Sequence, residues 1–209
     1  MNREETIANH LLQIKAIKLQ PANPFTWASG WKSPIYCDNR KTLSFPVVRD
    51  YIKEQFAALV KEKYADADVI AGVATGAIAI GALVADLLGK PFIYIRSAPK
   101  GHGLENLIEG VLEPGQKVVI IEDLISTGGS SLKAVEAVRN AGGNVMGMLA
   151  IFSYGFNTAV ENFNAADVKL DTLSNYEVLI KVAVDKGFVG NNELDTLAAW
   201  RKDPASWSV

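Results

Sequence analysis

The sequence contains a single cysteine, Cys37, and only two histidines among its 209 residues. One cysteine excludes a disulfide within the chain, and disulfides are the usual device for stabilising small secreted domains. A catalytic thiol would need an imidazole as base, and only His10 and His102 could supply one. We therefore interpret Cys37 as a small residue in a half-buried segment and expect a protein of the reducing cytoplasm.

The chain has little net charge and no long apolar run free of glycine. Its 21 basic and 23 acidic residues give a net charge of −2, so nucleic acid is not expected as a partner. MNREETIANH, residues 1–10, has no apolar core and does not resemble a signal peptide. Residues 69–85 are uncharged but rich in glycine and alanine. We interpret them as a buried strand, a turn and a buried helix, and expect no membrane partner.

Two common nucleotide-binding motifs are also missing. The chain has no GxxxxGK[ST], which excludes a P-loop. GHGLEN at 101–106 begins like a dinucleotide fingerprint, but it lacks the third glycine and is not a strand-to-helix turn. Any phosphate site must therefore be of another kind.

The apolar pattern predicts an α/β protein with a doubly wound parallel sheet. Strands that are apolar at every position and alternate with helices are typical of a sheet covered on both faces. We also expect an ordered loop over 21–34 and a short strand over 35–38. Helices are predicted over 3–17, 45–64, 76–89, 129–142 and 176–203, and strands over 68–73, 91–96, 117–123 and 144–153.

The stretch VVIIEDLISTGGSS, residues 118–131, ends one of these strands and opens a helix. Backbone N–H groups at a helix start are unpaired, and the helix dipole adds positive charge there. Gly128 and Gly129 allow a ligand to approach the backbone closely. Because the hydroxyls and glycines exceed what a helix cap needs, we predict a phosphate site rather than a cap alone. The hydroxyls concerned are those of Ser126, Thr127, Ser130 and Ser131.

Glu122 and Asp123 stand directly before this turn, and carboxylates do not bind a phosphate. They can accept hydrogen bonds from a diol and can stabilise a positive charge. A ribose 5-phosphate would satisfy both halves of the motif. If C1 of the sugar loses a leaving group, the ring becomes cationic, and the carboxylates then stabilise the transition state. The alternative is a pair of solvated acids at a strand end.

VVIIEDLISTGGS resembles the signature of the type I phosphoribosyltransferases, which use phosphoribosyl pyrophosphate and Mg²⁺. The resemblance implies the type I phosphoribosyltransferase fold, with flanking helices and a small N-terminal hood. It implies one domain over 1–209, with the hood at about 1–45, the parallel core at about 46–155 and a C-terminal helical region at about 156–209. Mg²⁺ is expected to bind through the substrate rather than through direct protein ligands.

A second motif concerns the base that accepts the phosphoribosyl group. Residues 95–110, IRSAPKGHGLENLIEG, gather Arg96, Lys100 and His102 in one polar run. Mobile cations that close over a leaving pyrophosphate would neutralise it and exclude water, although from charge alone a solvated loop is an equal alternative. The motif is similar to the catalytic lid of orotate phosphoribosyltransferases, and FTWASGWKSPIYCDNR (25–40) is similar to that family's segment over the orotate base. The resemblance implies orotate and phosphoribosyl pyrophosphate as substrates, and a cytoplasmic homodimer whose lid reaches into the partner's site.

The resemblance also assigns roles to individual positions. Catalytic roles are expected for Lys100, His102, Asp123 and Glu122, and residues 74–77 match the family's pyrophosphate loop. Orotate contacts are expected from Ser126, Ser33, Pro34 and Ile35. Donor contacts are expected from Arg96, Lys100, His102, Glu122, Asp123, Leu124, Ile125, Ser126, Thr127, Gly128, Gly129 and Ser130.

Three departures from the family pattern concern individual contacts. Ser97 stands where many members have a lysine, Ala28 stands near the place of another lysine while Lys32 is displaced, and the loop at 74–77 lacks the usual proline. Two alternative functions remain from the sequence. One is a phosphoribosyltransferase for another base, such as a purine, and the other is a regulator that senses phosphoribosyl pyrophosphate and binds nucleic acid.

Overall fold

A computed structural model describes residues 1–27, 29–98 and 107–208. Short 3₁₀ helices occur at Asn39–Ser44 and Asn191–Glu193. The α-helices of these residues are α1 (Arg3–Gln13), α2 (Pro46–Lys63), α3 (Ile78–Leu88), α4 (Gly129–Asn140), α5 (Asn157–Ala165), α6 (Tyr176–Asp185) and α7 (Leu194–Lys202). The strands are β1 (Ile17–Leu19), β2 (Phe25–Thr26), β3 (Lys32–Ser33), β4 (Ile35–Cys37), β5 (Val69–Val73), β6 (Phe92–Ile95), β7 (Ile108–Glu109), β8 (Lys117–Ile125), β9 (Asn144–Ser153) and β10 (Leu170–Asn175).

A six-stranded sheet with the order β10-β9-β8-β5-β6-β7 forms the centre of the protein. All neighbouring strands are parallel except β7, which runs antiparallel to β6 at the edge. Strand β8 lies inside the sheet, with β5 on one side and β9 on the other. Its carboxyl end is therefore at the edge where open parallel sheets bind ligands.

Helices cover both faces of this sheet, as the continuous apolar strands predict. One face packs against α1, α2, α3 and α6, and Ile121 of β8 belongs to this core. The other face packs against α4 and α5, and Ile120 of β8 belongs to that second core. The alternation of neighbouring β8 residues between two cores confirms the doubly wound fold predicted from the sequence.

The N-terminal segment differs from its prediction. The helix predicted over 3–17 ends at Gln13, and Lys15 takes a left-handed conformation with φ 55°. Ile17 is buried as expected, but it begins β1, which pairs antiparallel with β4. The prediction was wrong because the apolar spacing continues across the turn, and no glycine or proline marks it.

Residues 21–34, predicted as a loop, contain the small hairpin of β2 and β3. This hairpin is tied to the C-terminal region by Trp200 of α7, which is 0% exposed and donates from Nε1 to the Lys32 carbonyl at 3.2 Å. The Trp200 ring lies 5.7 Å from Trp27 and 5.4 Å from Tyr176, measured between ring centroids. One buried indole therefore joins the N-terminal and C-terminal segments.

Two edge strands were not predicted. β7 has only two residues. β10, with the sequence LDTLSN, is half polar and lies in the region predicted to be helical, where it pairs parallel with β9. The predicted helix over 176–203 is present as α6 and α7 with a 3₁₀ turn between them. Edge strands need fewer apolar residues, because one of their long sides faces solvent.

The apolar stretch 69–85 divides into β5 and most of α3, as the sequence predicts. Among the helices of the described residues, none has the length and apolar character needed to cross a bilayer.

Replacing Trp200 by alanine should destabilise the protein by about 3–5 kcal/mol, the usual cost of removing a large buried aromatic side chain. Trp200→Phe should cost less, because a six-membered aromatic ring remains in the core and only the hydrogen bond to Lys32 and the second ring of the indole are lost. Phe188→Ala is the matched control, since Phe188 is 45% exposed and its removal should change stability by less than about 1 kcal/mol. Denaturant-induced unfolding measures all three. Equal losses for Trp200→Ala and Phe188→Ala would show that the indole does not join the two segments.

Candidate active site

Strand β8 delivers Glu122 and Asp123 to the carboxyl edge of the sheet, beside a cleft of about 820 Å³. The opposite wall comes from the end of β6 and from Leu107, and the floor includes Val73 and Ala74 at the end of β5. Most of the predicted site residues that the structure describes meet here. Those lining the cleft are Arg96, Glu122, Asp123, Leu124, Ser126, Thr127, Gly128 and Ser130.

The turn before α4 leaves the start of that helix open. Its N-cap residue is Gly128, with φ 83°, and no side chain caps the helix. A side chain at position 128 would also meet the Phe163 ring, whose nearest atom lies 2.8 Å from where a Cβ would be. Because a glycine occupies the capping position, the first N–H groups of α4 have no side-chain acceptor.

Three of the four hydroxyl groups around this turn also make no hydrogen bond within the described ranges. Those of Ser126, Thr127 and Ser130 form no hydrogen bond with any residue in the described ranges, while Ser131 donates to Glu122. The alternative that these hydroxyls only cap the helix is therefore wrong. Uncapped amides and unused hydroxyls at a helix start are the arrangement that proteins use to bind phosphate.

Two hydrogen bonds from outside the turn hold it in place. The Asn162 side chain of α5 donates from Nδ2 to the Thr127 carbonyl at 2.9 Å. The Tyr154 amide donates to the carbonyl of Ile125 at 3.1 Å, and the Ile125 side chain is fully buried. Any ligand contact of Ile125 would thus involve its backbone. No sequence signal pointed to Asn162, which lies 35 residues from its partner.

Glu122 is buried on the α4 side of the sheet, with 5% of its surface exposed. Its carboxyl oxygens accept hydrogen bonds from Ser131 Oγ and from the Asp123 amide, both at 2.9 Å. Burial, and after it the negative charge of Asp123, raise the pKa of Glu122 to about 8. The carboxyl group is therefore largely protonated at neutral pH in the unliganded protein.

Asp123 faces the other side of the sheet, because successive strand residues alternate. Its carboxylate lies against Gly76, where a Cβ atom would collide with both carboxylate oxygens. Gly76 thus leaves room for the acid and brings residues 74–77 beside it. The peptide bond between Ala74 and Thr75 in this loop is cis.

The N-terminal segment contacts the same acid through Asn39. Its Nδ2 donates to the Asp123 carbonyl at 2.6 Å, and its Oδ1 accepts from Cys37 Sγ at 3.3 Å. Asn39 is 2% exposed, so this link is shielded from water. Asn39 belongs to the stretch 25–40 that resembles the family's base-covering segment, but its contact with β8 could not be read from sequence spacing.

Burial raises the pKa of the Cys37 thiol, and the nearby charges of Asp123 and Asp38 raise it further. A raised pKa keeps the sulfur protonated and makes it a poor nucleophile. The structure thus supports the interpretation of Cys37 as a packed residue that donates a weak hydrogen bond.

Arg96 is the predicted cation that the structure places in the cleft. Its Nη1 lies 3.6 Å from Glu109 Oε1 and is buried without a hydrogen bond. A buried guanidinium nitrogen that lacks a hydrogen-bond acceptor favours an anionic ligand. Lys100, His102 and the departure at Ala28 lie outside the described residues.

The residues predicted to contact orotate fall into two groups, one that lines the cleft and one that does not. Ser126 lines the cleft, whereas Ser33, Pro34 and Ile35 are buried and do not. The Ser33 hydroxyl is occupied by the Ile35 backbone, donating to its carbonyl at 2.8 Å. The side chains of these three residues support the hood rather than face the cleft.

Within the ranges that the structure describes, no group of three or more His, Cys, Asp or Glu side chains is arranged to hold a metal ion. Glu122 and Asp123 line the same cleft as the turn at 126–130. A Mg²⁺ ion needs only one or two protein carboxylates when a substrate supplies phosphate oxygens.

Comparison with known proteins identifies the family. The phosphoribosyl transferase domain family matches residues 48–186. Orotate phosphoribosyltransferase of Bacteroides thetaiotaomicron is 62% identical over 208 residues, which cover 100% of this chain and 98% of that protein. The chain belongs to the orotate phosphoribosyltransferase family.

Solved structures share this fold. The crystal structure of orotate phosphoribosyltransferase from Aeropyrum pernix has a TM-score of 0.76 and 27% identity, covering 88% of this chain and 99% of that one. The Mycobacterium tuberculosis orotate phosphoribosyltransferase in complex with phosphoribosyl pyrophosphate has a TM-score of 0.65 at 24% identity, covering 85% and 99%. The orotate phosphoribosyltransferase fold and family predicted from the sequence are confirmed.

The raised pKa of Glu122 gives a pH-dependent prediction. A carboxyl group that ionises near its usual value when unfolded, but only near pH 8 when folded, stabilises the fold most at low pH. That contribution falls as the pH rises towards 8. Glu122→Gln cannot ionise and keeps an oxygen that can accept from the Asp123 amide. The stability difference should therefore shift in favour of the variant between pH 5 and 8, by about 2 kcal/mol or more.

Urea unfolding of wild type and Glu122→Gln across this range measures the difference without any ligand. Titrating groups that do not interact with Glu122 cancel, because they are the same in both proteins, while the coupled Asp123 contributes to the measured difference. A difference that does not change with pH would show that Glu122 is already ionised in the folded state.

Proposed function

We propose that this protein transfers the 5-phosphoribosyl group from phosphoribosyl pyrophosphate to orotate. The products are orotidine 5′-phosphate and pyrophosphate, a step on the pyrimidine route to UMP. The observation that carries the proposal is a helix start without a side-chain cap that shares one cleft with two carboxyl groups. A donor with a phosphate and a ribose diol matches that combination.

The turn at 126–130 binds the 5-phosphate in this proposal. Backbone amides at the start of α4 and the unused hydroxyls of Ser126, Thr127 and Ser130 supply the donors. Glu122 and Asp123 accept hydrogen bonds from the ribose hydroxyls. These contacts fix C1 of the ribose above the sheet edge, where its leaving group and the attacking base can take opposite sides.

The leaving group is bound by cations. Arg96 lines the cleft with a guanidinium nitrogen that lacks a hydrogen bond, and the family resemblance adds Lys100 and His102. The loop at 74–77 lies beside Asp123 and completes this side of the site. Mg²⁺ would neutralise phosphate charge on the donor, with Asp123 as the protein carboxylate best placed to contact it.

In the reaction, N1 of the orotate anion forms a bond to C1 as the bond from C1 to the pyrophosphate oxygen breaks. The electron pair leaves with pyrophosphate, and the ribose ring carries positive charge in between. The carboxyl groups under the ring stabilise that charge more than they stabilise the neutral sugar. The negative charge of orotate at neutral pH lies on its carboxylate, so N1 also loses its proton as the bond to C1 forms. That proton passes to the released pyrophosphate or to water.

The acceptor side is formed by the hood. Ser126 faces the cleft, and Asn39 attaches the hood to the Asp123 carbonyl. Contacts from Ser33, Pro34 and Ile35 to orotate would come from the backbone. The homodimer with a shared lid and the cytoplasmic location remain predictions from the sequence.

The function is tested by following loss of orotate absorbance with purified protein, phosphoribosyl pyrophosphate and Mg²⁺. Loss that requires every component supports the reaction and the acceptor together. Adenine, hypoxanthine and uracil serve as a control panel, and turnover of one of these bases instead of orotate would contradict the acceptor. Binding of the donor without turnover of any base would favour a sensing role.

Gly76→Ala should lower turnover about 10–100-fold, because the added methyl group displaces the Asp123 carboxylate. Position 76 is not among the glycines with positive φ, so alanine should fold normally there. The control is a double-mutant cycle: in an Asp123→Ala background, Gly76→Ala should cost little more. Steady-state kinetics with thermal unfolding measure both effects, and full additivity of the losses would contradict this explanation.

Lys100→Ala should lower turnover by about 100-fold or more, the scale for losing one transition-state contact. If the lid acts across a dimer, mixing Lys100→Ala chains with Asp123→Ala chains creates one intact site per hybrid dimer. Random exchange should then restore up to about a quarter of wild-type activity. Lys100→Ala turnover within threefold of wild type would contradict the catalytic role. No recovery after confirmed chain exchange would contradict the shared lid.

A further inference from the structure

Lys133 lies in the same cleft but has no role in the family assignment above. It lines the cleft together with Ser130, Glu122 and Arg96, and it belongs to the second turn of α4. Its neighbour Ala134 packs into the core, whereas Lys133 itself is exposed. The side chain is thus attached to a rigid helix and open to the cleft.

Helix geometry directs the Lys133 side chain towards the turn at 126–130, where the 5-phosphate is proposed to bind. Residues three and four positions apart lie on one helix face, so Lys133 stands above Ser130 and Gly129. The Cα–Cβ bonds of a helix tilt towards its N-terminus, and long side chains extend over the preceding turn. The ammonium group of Lys133 can therefore reach the open start of α4.

The charges around Lys133 leave it available for a ligand. In the described part of the chain it forms no ion pair with any carboxylate, including Glu136, which also lines the cleft one turn further on. Arg96, on the other wall, is close to Glu109. The cleft thus has one cation at the helix start and another at the end of β6.

We propose that Lys133 binds the 5-phosphate of the donor and of the nucleotide product, while Arg96 binds the pyrophosphate. This proposal rests on the proposed function and adds a residue that contacts the substrate. A charged donor at this position strengthens a phosphate site built from backbone amides and hydroxyls, because hydrogen bonds between two ions exceed those between neutral groups. The two walls of the cleft then each recognise one anionic end of the donor.

The test uses two probes that each carry one end of the donor, ribose 5-phosphate and inorganic pyrophosphate, with binding measured by calorimetry at fixed Mg²⁺ and salt. Lys133→Ala should weaken ribose 5-phosphate about 5–20-fold and leave pyrophosphate within about twofold. Arg96→Ala should show the opposite pattern. Lys133→Arg keeps the charge and should restore most of the affinity for ribose 5-phosphate.

Lys186→Ala is the matched control, since Lys186 follows α6 and does not line the cleft. It removes the same charge from the net total and should change neither affinity. Equal losses for both probes in Lys133→Ala would overturn the proposal, because they would indicate a general field effect. Unchanged ribose 5-phosphate affinity would also overturn it.

Kinetics separate this proposal from the function on which it rests. With orotate, Lys133→Ala should raise the KM for phosphoribosyl pyrophosphate about 5–20-fold and leave kcat within about twofold, because the 5-phosphate contact is the same in substrate and transition state. Orotate turnover by wild type with an unchanged KM in Lys133→Ala would overturn only the role of Lys133. Absence of orotate turnover by wild type would overturn the function itself.

Discussion

The position of β8 within the sheet is the constraint on which the rest of the site depends. Residues 118–121 of β8 pair with β5 on one side and with β9 on the other, and the pairing with β9 continues to Ile125. This pairing fixes the carboxyl end of β8 at the sheet edge. The next residues must turn into α4 without a side-chain cap, which leaves the helix start open. The acids, the turn and the helix are consecutive in the chain, so a single strand register positions all of them.

The second requirement is that separate segments stay fixed relative to this strand. Asn39 attaches the hood to the backbone of Asp123, and Asn162 attaches α5 to the turn at Thr127. Trp200 attaches the hood hairpin to α7. Each bond joins a segment with little core of its own to a rigid element, and each is partly or fully shielded from water. Segments that come from distant parts of the sequence can then act as one site.

The fold could be predicted where burial on both faces makes the sequence uniform. VIAGV of β5 is apolar at every position, which is typical of a central strand buried on both faces. That most residues from Glu122 to Ser130 line one cleft was predictable because they are contiguous. Ile17 was misassigned because helical spacing continued through the turn at Lys15. Asn39, Asn162 and the approach of Gly76 to Asp123 depend on contacts between distant residues, and local patterns carry no information about them.

Burial determines the protonation of Glu122 as well as its position. In the unliganded protein the buried carboxyl is mostly neutral, which lowers the repulsion between two adjacent acids in the cleft. In the proposed reaction, a ribose ring that becomes cationic, or a Mg²⁺ ion nearby, would lower the pKa of Glu122 and favour its charged form. The negative charge is then greatest when positive charge develops on the ligand. The same burial that makes the folded protein less stable at high pH therefore matches the charge of the site to the transition state rather than to the empty cleft.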